Sequence, residues 1–245
     1  AQSVLRSRYT LKTFIYLGQI FMKFKTLKTV LAGTAVLASG TAAADFGVGV
    51  KAGTLGLGLE ARWDPPVPWF DLRVGVNSYD YNDKAGYGGI DYEATLALDN
   101  YYLTTNFKFP ASPFRLTVGA FANGNAIQLA SEDIGGANFN IGGGSFSSSD
   151  VGSLESVVSF SSTSPYFGVG FDFELFGKAG LNLDFGLLWQ GEPTVTLEAT
   201  GLDSAPAQVQ VPLSQALEAE RLELEEEMSN YKAWPVISLA FVYNF

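Results

Sequence analysis

Residues 236–245 (VISLAFVYNF) carry Ile237, Leu239, Phe241, Tyr243 and the terminal Phe245 at alternate positions. Side chains of an extended chain leave opposite faces in turn, so this segment gathers one apolar face only as a β-strand. The same period of two recurs along the chain. Phe70, Leu72, Val74 and Val76 alternate with Asp71, Arg73 and Asn77. Tyr92, Ala94, Leu96 and Leu98 alternate with Asp91, Glu93 and Thr95. Phe114, Leu116 and Val118 oppose Arg115 and Thr117, and Phe167, Val169, Phe171 and Phe173 oppose Asp172 and Glu174. Leu181, Leu183, Phe185, Leu187 and Trp189 oppose Asn182, Asp184 and Gln190. After residue 44 no apolar run reaches the roughly 18 residues of a membrane helix. Charged residues are 16% and aromatics 14% of the chain, against about 25% charged in a soluble domain. A membrane β-barrel has this profile, because lipid-facing and polar residues alternate along each strand.

The strand count follows from a change of phase. Phe46, Val48, Val50 and Ala52 are apolar at even positions, whereas Leu55, Leu57, Leu59, Ala61 and Trp63 are apolar at odd ones. One regular strand cannot place both sets on one face, which leaves a bulge or a tight hairpin at Gly53-Thr54. Barrels of this kind have both termini on one side and hence an even count, which favours the hairpin. Six further strands bring the total to eight. The expected fold is all-β, an eight-stranded antiparallel up-and-down transmembrane β-barrel with a short helix in the last extracellular loop. Short turns at 64–68, 110–113 and 177–180 are expected on the periplasmic side. Long loops at 82–89, 131–155 and 200–230 are expected outside. A second phase change near Asp99-Asn100 reads as a bulge. The strand ending at Trp189 reads as running on through Val195 and Leu197.

Met22 opens a secretory leader. Lys23, Lys25 and Lys28 form the basic region, 29–38 (TVLAGTAVLA) the short apolar core, and Ala42-Ala43-Ala44 the cleavage site. Residues 1–21 read as an upstream extension, 22–44 as the signal peptide and 45–245 as the barrel. Arg6, Arg8, Lys12, Lys23, Lys25 and Lys28 all precede residue 45. Without these six of the chain's 15 basic residues, nine remain against 25 acidic ones. So acidic a chain is a poor match for nucleic acid. Cysteine and histidine are both absent. Disulfides, thiolate metal sites, the usual general base and the usual partner of a nucleophilic serine are therefore excluded. No cofactor is expected.

The last strand resembles the C-terminal signature that outer-membrane barrels present to the barrel-assembly machinery. The resemblance implies that Phe245, Tyr243, Phe241, Leu239 and Ile237 are read by that machinery. In outline the chain resembles a small OmpA-like transmembrane barrel of Gram-negative bacteria, and 51–60 (KAGTLGLGLE) is similar to the opening of a poorly characterised group of such proteins. Unlike OmpA proper, it is expected to carry no peptidoglycan-binding domain after the barrel. The implied partners are outer-membrane lipid, lipopolysaccharide and, during biogenesis, the assembly machinery.

Glu60, Arg62, Asp71, Arg73, Asp91, Glu93, Arg115, Asp172 and Asp184 occupy the polar positions of the strands and are expected inside the barrel. Ion pairing among them is favoured over a polar channel or carboxylate catalysis, because an eight-stranded barrel is only wide enough for side chains to fill. The acidic segment 213–230 places Leu213, Leu217, Leu224 and Met228 near helical spacing. It is expected to cover the barrel mouth rather than bind divalent cations or a basic partner. Gly142-Gly143-Gly144 lacks the Lys-Ser/Thr of a phosphate loop. Trp63, Trp69, Trp189 and Trp234, with the tyrosines, are expected to form interfacial girdles. The functional expectation is a non-enzymatic barrel with a structural or surface-interaction role, with a small porin-like channel as the alternative. A carboxylate-only enzyme would have to work through residues such as Asp91 or Glu93. N-terminal sequencing of the exported protein is expected to begin at Asp45; an intact 22–44 segment would contradict the leader.

Overall fold

The computed structural model describes residues 45–245 apart from 68, 88–89, 132–135 and 137, and apart from the side chains of 85–91. The expected extension over 1–21 and leader over 22–44 lie outside the described residues. Among the described residues, the strands are β1 (Asp45–Gly53), β2 (Gly56–Asp64), β3 (Phe70–Tyr87), β4 (Ile90–Lys108), β5 (Phe114–Asn123), β6 (Ala126–Ser131), β7 (Asn138–Ile141), β8 (Gly144–Ser147), β9 (Leu154–Ser159), β10 (Thr163–Phe176), β11 (Ala179–Trp189), β12 (Thr194–Ala199) and β13 (Ala233–Asn244). A one-turn helix α1 spans Ser148–Val151, and α2 spans Ala207–Met228.

All pairings are antiparallel. β1 and β2 form a hairpin about Thr54-Leu55, with Gly53 opposite Gly56. Gly56 turns the chain at φ +93, a backbone region that favours glycine. The phase change in 46–63 is thus a hairpin. β13 lies between β1 and β11, β10 follows β11, and β5 follows β10. β2 pairs with β3, and β3 with β4 over their whole lengths. β4 then divides its other edge. Asn100–Lys108 pair with β5, whereas Tyr92–Ala97 pair with β6, which continues into β9 and β12. β7 and β8 form a separate hairpin.

Along β4 the even positions Ala94, Leu96, Leu98, Asn100, Tyr102, Thr104 and Asn106 are all buried. The register with β3 is unbroken, so the expected bulge at Asp99-Asn100 is absent. Polarity changes instead of direction. Near the chain termini the buried positions are polar (Thr104, Asn106), and the outward Tyr101 and Leu103 are 60% and 56% exposed. Beyond Asn100 the buried positions are apolar, and Glu93 and Asp99 are exposed. The sequence shows this reversal as a change of phase, which a bulge would also produce.

Three other expectations change for related reasons. The loop expected at 82–89 is largely hairpin: β3 and β4 run on to Tyr87 opposite Ile90, with Thr95 Oγ1 donating to Asn82 Oδ1 at 2.7 Å. Polar residues there mark a strand wet on its outer face, not a loop. The segment 131–155 holds β7, β8 and α1, and Gly142-Gly143, at φ +53 and +79, turn the β7–β8 hairpin. Lastly, β11 ends at Trp189, and the chain turns at Gly191, φ +75. Val195 and Leu197 belong to β12, which leaves β13 and pairs with β9.

Inward glycines make room for large inward side chains. A Cβ on Gly75 would lie 2.3 Å from the Tyr102 ring. One on Gly168 or Gly186 would lie 2.5 Å from the Tyr166 hydroxyl. Gly75→Val is therefore expected to displace Tyr102 and destabilise the fold by about 1–3 kcal/mol, as overpacked cores do. A lowered urea midpoint of the refolded protein is the readout; an unchanged midpoint would show that the ring is not seated there.

A charged network in the interior as the candidate functional site

The polar half of the buried face carries ten ionised side chains. Lys51 on β1 lies 3.5 Å from Glu60 on β2 and 3.3 Å from Asp184 on β11. Asp184 pairs with Arg115 on β5, and Arg115 Nε donates to Asp172 on β10 at 2.9 Å. Asp172 accepts from Arg73 Nη2 on β3 at 2.8 Å, and Arg73 returns to Glu60 at 3.5 Å. The six form a ring of alternating sign drawn from six strands. A branch runs from Arg73 to Asp71 at 3.0 Å, to Lys108 at 3.1 Å, and on to Asp64 and Arg62. Five acidic groups meet five basic ones, so the network is neutral. It uses five of the nine basic residues that follow residue 44, which leaves the outer surface strongly acidic.

Neutral groups complete the coordination. Tyr102 Oη donates to Glu60 Oε2 at 2.8 Å, and Ser238 Oγ to Asp184 Oδ2 at 3.2 Å. Arg115 Nη1 donates to Asn106 Oδ1 at 2.8 Å and to Thr117 Oγ1 at 2.6 Å. The Lys51 ammonium also lies 4.9 Å from the Tyr102 ring centre. A buried charge stripped of its partner is costly, so such a network holds its strands in register.

The expected interior residues divide clearly. Glu60, Asp71, Arg73, Arg115 and Asp184 are buried, and Asp172 and Arg62 are half-buried members of the network. Glu93 is exposed, because at its height the inward positions of β4 are apolar. The Asp91 side chain lies outside those described. Lys51 and Lys108 were missed, although Lys51 alternates with Val48, Val50 and Ala52 and so shares the inward parity of β1. Ile237, Leu239, Phe241 and Tyr243 lie exposed on the outward face of β13, and Phe245 is exposed just past its end.

Above the ions lies an apolar layer. Leu55, Leu96, Leu98, Phe121, Ile127, Tyr166, Leu188, Trp234 and Val236 pack there with Met228 from the end of α2. Trp234 is thus interior and not part of a girdle, unlike Trp63, Trp69 and Trp189, which are exposed. Tyr102 and Tyr166 are likewise inside. A second cluster joins Leu213, Ala216 and Leu217 of α2 to Phe139, Ile141, Val151, Leu154 and Ala199. The helix begins at Ala207, before the expected 213–230. Pro212 lies inside the helix, where the burial of Leu213, Ala216 and Leu217 offsets its lost hydrogen bond. Glu220 accepts from Gly142 N at 2.9 Å, which ties the helix to the β7–β8 turn. On its wet face, hydrogen bonding by Arg221 holds the Glu218 carboxyl below the ordinary glutamate range.

Where β4 changes partners, amides bridge the fork. Asn100 Nδ2 donates to Asn125 Oδ1 at 2.7 Å, and Asn125 Nδ2 to Gln190 Oε1 at 3.2 Å. Between ions and apolar layer, a cavity of about 20 Å³ has room for about one water. Among the described residues, no cluster of three or more acidic, histidine or cysteine side chains could hold a metal ion, and no helix is long and apolar enough to cross a membrane.

No family model and no curated protein matches the chain. Solved structures do. The crystal structure of Acinetobacter baumannii CarO2 aligns with TM-score 0.54 and 20% identity, covering 82% of this chain and 98% of that one. That of Acinetobacter baumannii CarO aligns with TM-score 0.51 and 22% identity, covering 81% and 97%. The chain shares their fold. It is a mostly antiparallel β fold built on one large sheet, with barrel-like neighbours.

Arg115 touches Asp172, Asp184, Asn106 and Thr117. Arg115→Met is expected to cost about 3–5 kcal/mol by stranding buried carboxylates. Arg221→Ala, which breaks only exposed pairs on α2, is expected to leave the urea midpoint nearly unchanged. Urea unfolding of the refolded variants measures both; equal effects would contradict the network's role.

Proposed function

We propose that the protein is an integral outer-membrane barrel of eight strands, closed on itself and non-conducting, whose role is structural or one of surface interaction. The observation that carries this is the filled interior: a neutral ion network beneath an apolar layer that α2 seals. Closure is supported by the pairings. From β4 they pass through β3, β2, β1, β13, β11, β10 and β5 and return to β4. The odd positions Ile237–Phe245 form an exposed apolar face about 27 Å long at ~3.4 Å per residue. Tilted by about 40°, that face gives about 20 Å of height, near the apolar band of roughly 25 Å in such barrels. Trp69, Phe70, Phe107, Phe109, Phe114, Phe171 and Phe173 form a chain of ring contacts at the end that carries the termini. Such a chain suits one of the two interfacial girdles of a barrel, and on this reading the end where residues 45 and 245 lie faces the periplasm.

On this reading 22–44 is a cleaved export signal, and the family is that of small OmpA-like barrels. Phe245 and its alternating partners Tyr243, Phe241, Leu239 and Ile237 are then presented to the assembly machinery. The unit of β6–β9, β12 and α2 stands outside the cell, above the lipopolysaccharide. No enzymatic role is assigned to Asp91 or Glu93. The porin-like alternative is separated by conductance in planar bilayers. The refolded protein is expected to give no stable, reproducible steps; regular steps in every active membrane would replace this proposal with the channel.

A further inference from the structure

Gly124 and Asn125 alone join β5 to β6, and this junction holds the sequence's one Asn-Gly pair, Asn123-Gly124. Asparagine is a chemically labile residue. Before glycine it is most prone to cyclise, because a backbone nitrogen without a neighbouring Cβ reaches the side-chain amide freely. In that reaction the Gly124 nitrogen attacks Asn123 Cγ. A nitrogen–carbon bond forms, the Cγ–amide bond breaks, and the glycine proton leaves with the amide as ammonia. Solvent water then opens the imide at either carbonyl, which gives aspartate or isoaspartate with no change of oxidation state. In the folded chain every group of this reaction is held elsewhere. Gly124 N donates to Asp99 O at 2.7 Å, and Asn123 N to Ser162 O at 2.9 Å. Asn123 Nδ2 donates to Ser161 O at 3.3 Å, and its Oδ1 accepts from Asn125 N at 3.2 Å. The side chain is buried.

We propose that Asn123-Gly124 is a deamidation site, reactive in the unfolded chain and silenced by the fork, so that a chain which ages before folding loses the ability to form the fork. Aspartate at 123 turns a carboxylate oxygen toward the Ser161 carbonyl, where Nδ2 had donated, and two acceptors then face each other. Isoaspartate does more. It adds a methylene to the main chain between Asn123, opposite Asn100, and Ala126, opposite Ala97. A two-residue connection has no slack for it. The added atom displaces Asn125, which bridges Asn100 to Gln190. Folding and deamidation therefore exclude each other at this site, wherever the protein resides.

The test compares the purified protein in urea with the refolded protein at one pH and temperature. Electron-transfer fragmentation in a mass spectrometer reads aspartate and isoaspartate at each asparagine. In urea, Asn123 is expected to convert faster than every other asparagine. In the refolded protein its conversion is expected to be slower by at least about tenfold, because it waits on local opening. Equal rates in the two states would overturn the proposal. Gly124→Ala is read in urea, where folding plays no part, and is expected to slow the conversion; an unchanged rate would remove the site. Protein aged in urea and returned to refolding conditions gives the last reading. Isoaspartate at 123 is expected to collect in the fraction that fails to fold, and an even distribution between the fractions would contradict its effect on the fork.

Discussion

The organising constraint is the reversal of polarity across Asn100. A strand in hydrocarbon must turn apolar side chains outward, and the same strand in water must turn them inward. On the proposed membrane placement β4 passes through both settings, and its register does not break. Below Asn100 its inward residues join the ion network, and above it they join the apolar layer. The sheet changes with it: β5 flanks the lower half and β6 the upper. Asn100, Asn125 and Gln190 supply hydrogen bonds where the two edges part.

The interior follows from that reversal. Outward apolar residues oblige the inward positions to be polar, and a space this narrow leaves no room to solvate them. Charges there persist only in matched pairs, and the ring from Lys51 to Arg73 meets that demand with six strands contributing. Inward glycines such as Gly75 and Gly186 give the long side chains their space. Concentrating cations inside leaves the outer unit acidic. The Glu-rich face of α2 is thus a wet surface, while its buried stripe packs against Phe139, Ile141, Val151, Leu154 and Ala199.

Where one polarity held along a whole strand, the sequence was readable. β13, β2, β5 and β11 fall where alternation places them, and the hairpin favoured by parity turns at Thr54-Leu55, one residue beyond the expected Gly53-Thr54. Alternation reports which face is apolar, not whether that face looks in or out. Glu93 was therefore assigned to the interior with Arg73, and Trp234 to the surface with Trp189. The short strands β6, β9 and β12 bury Ser131 and Ser156, carry Gln128, Glu155, Thr194 and Thr196 at wet positions, and merge with the surrounding Gly/Ser-rich text. Lys51 went unassigned because glycines occupy the neighbouring inward positions, so its face shows no pattern.

A nitroxide scan of the outward positions of β4 tests the central claim most directly. Labels at Tyr101, Leu103, Thr105 and Phe107 in reconstituted vesicles are expected to collide with oxygen dissolved in lipid. Labels at Glu93, Thr95 and Asp99 are expected to respond to a water-soluble nickel chelate, with the change at Asn100. A uniform response along the strand, or a boundary displaced by several residues, would contradict the account.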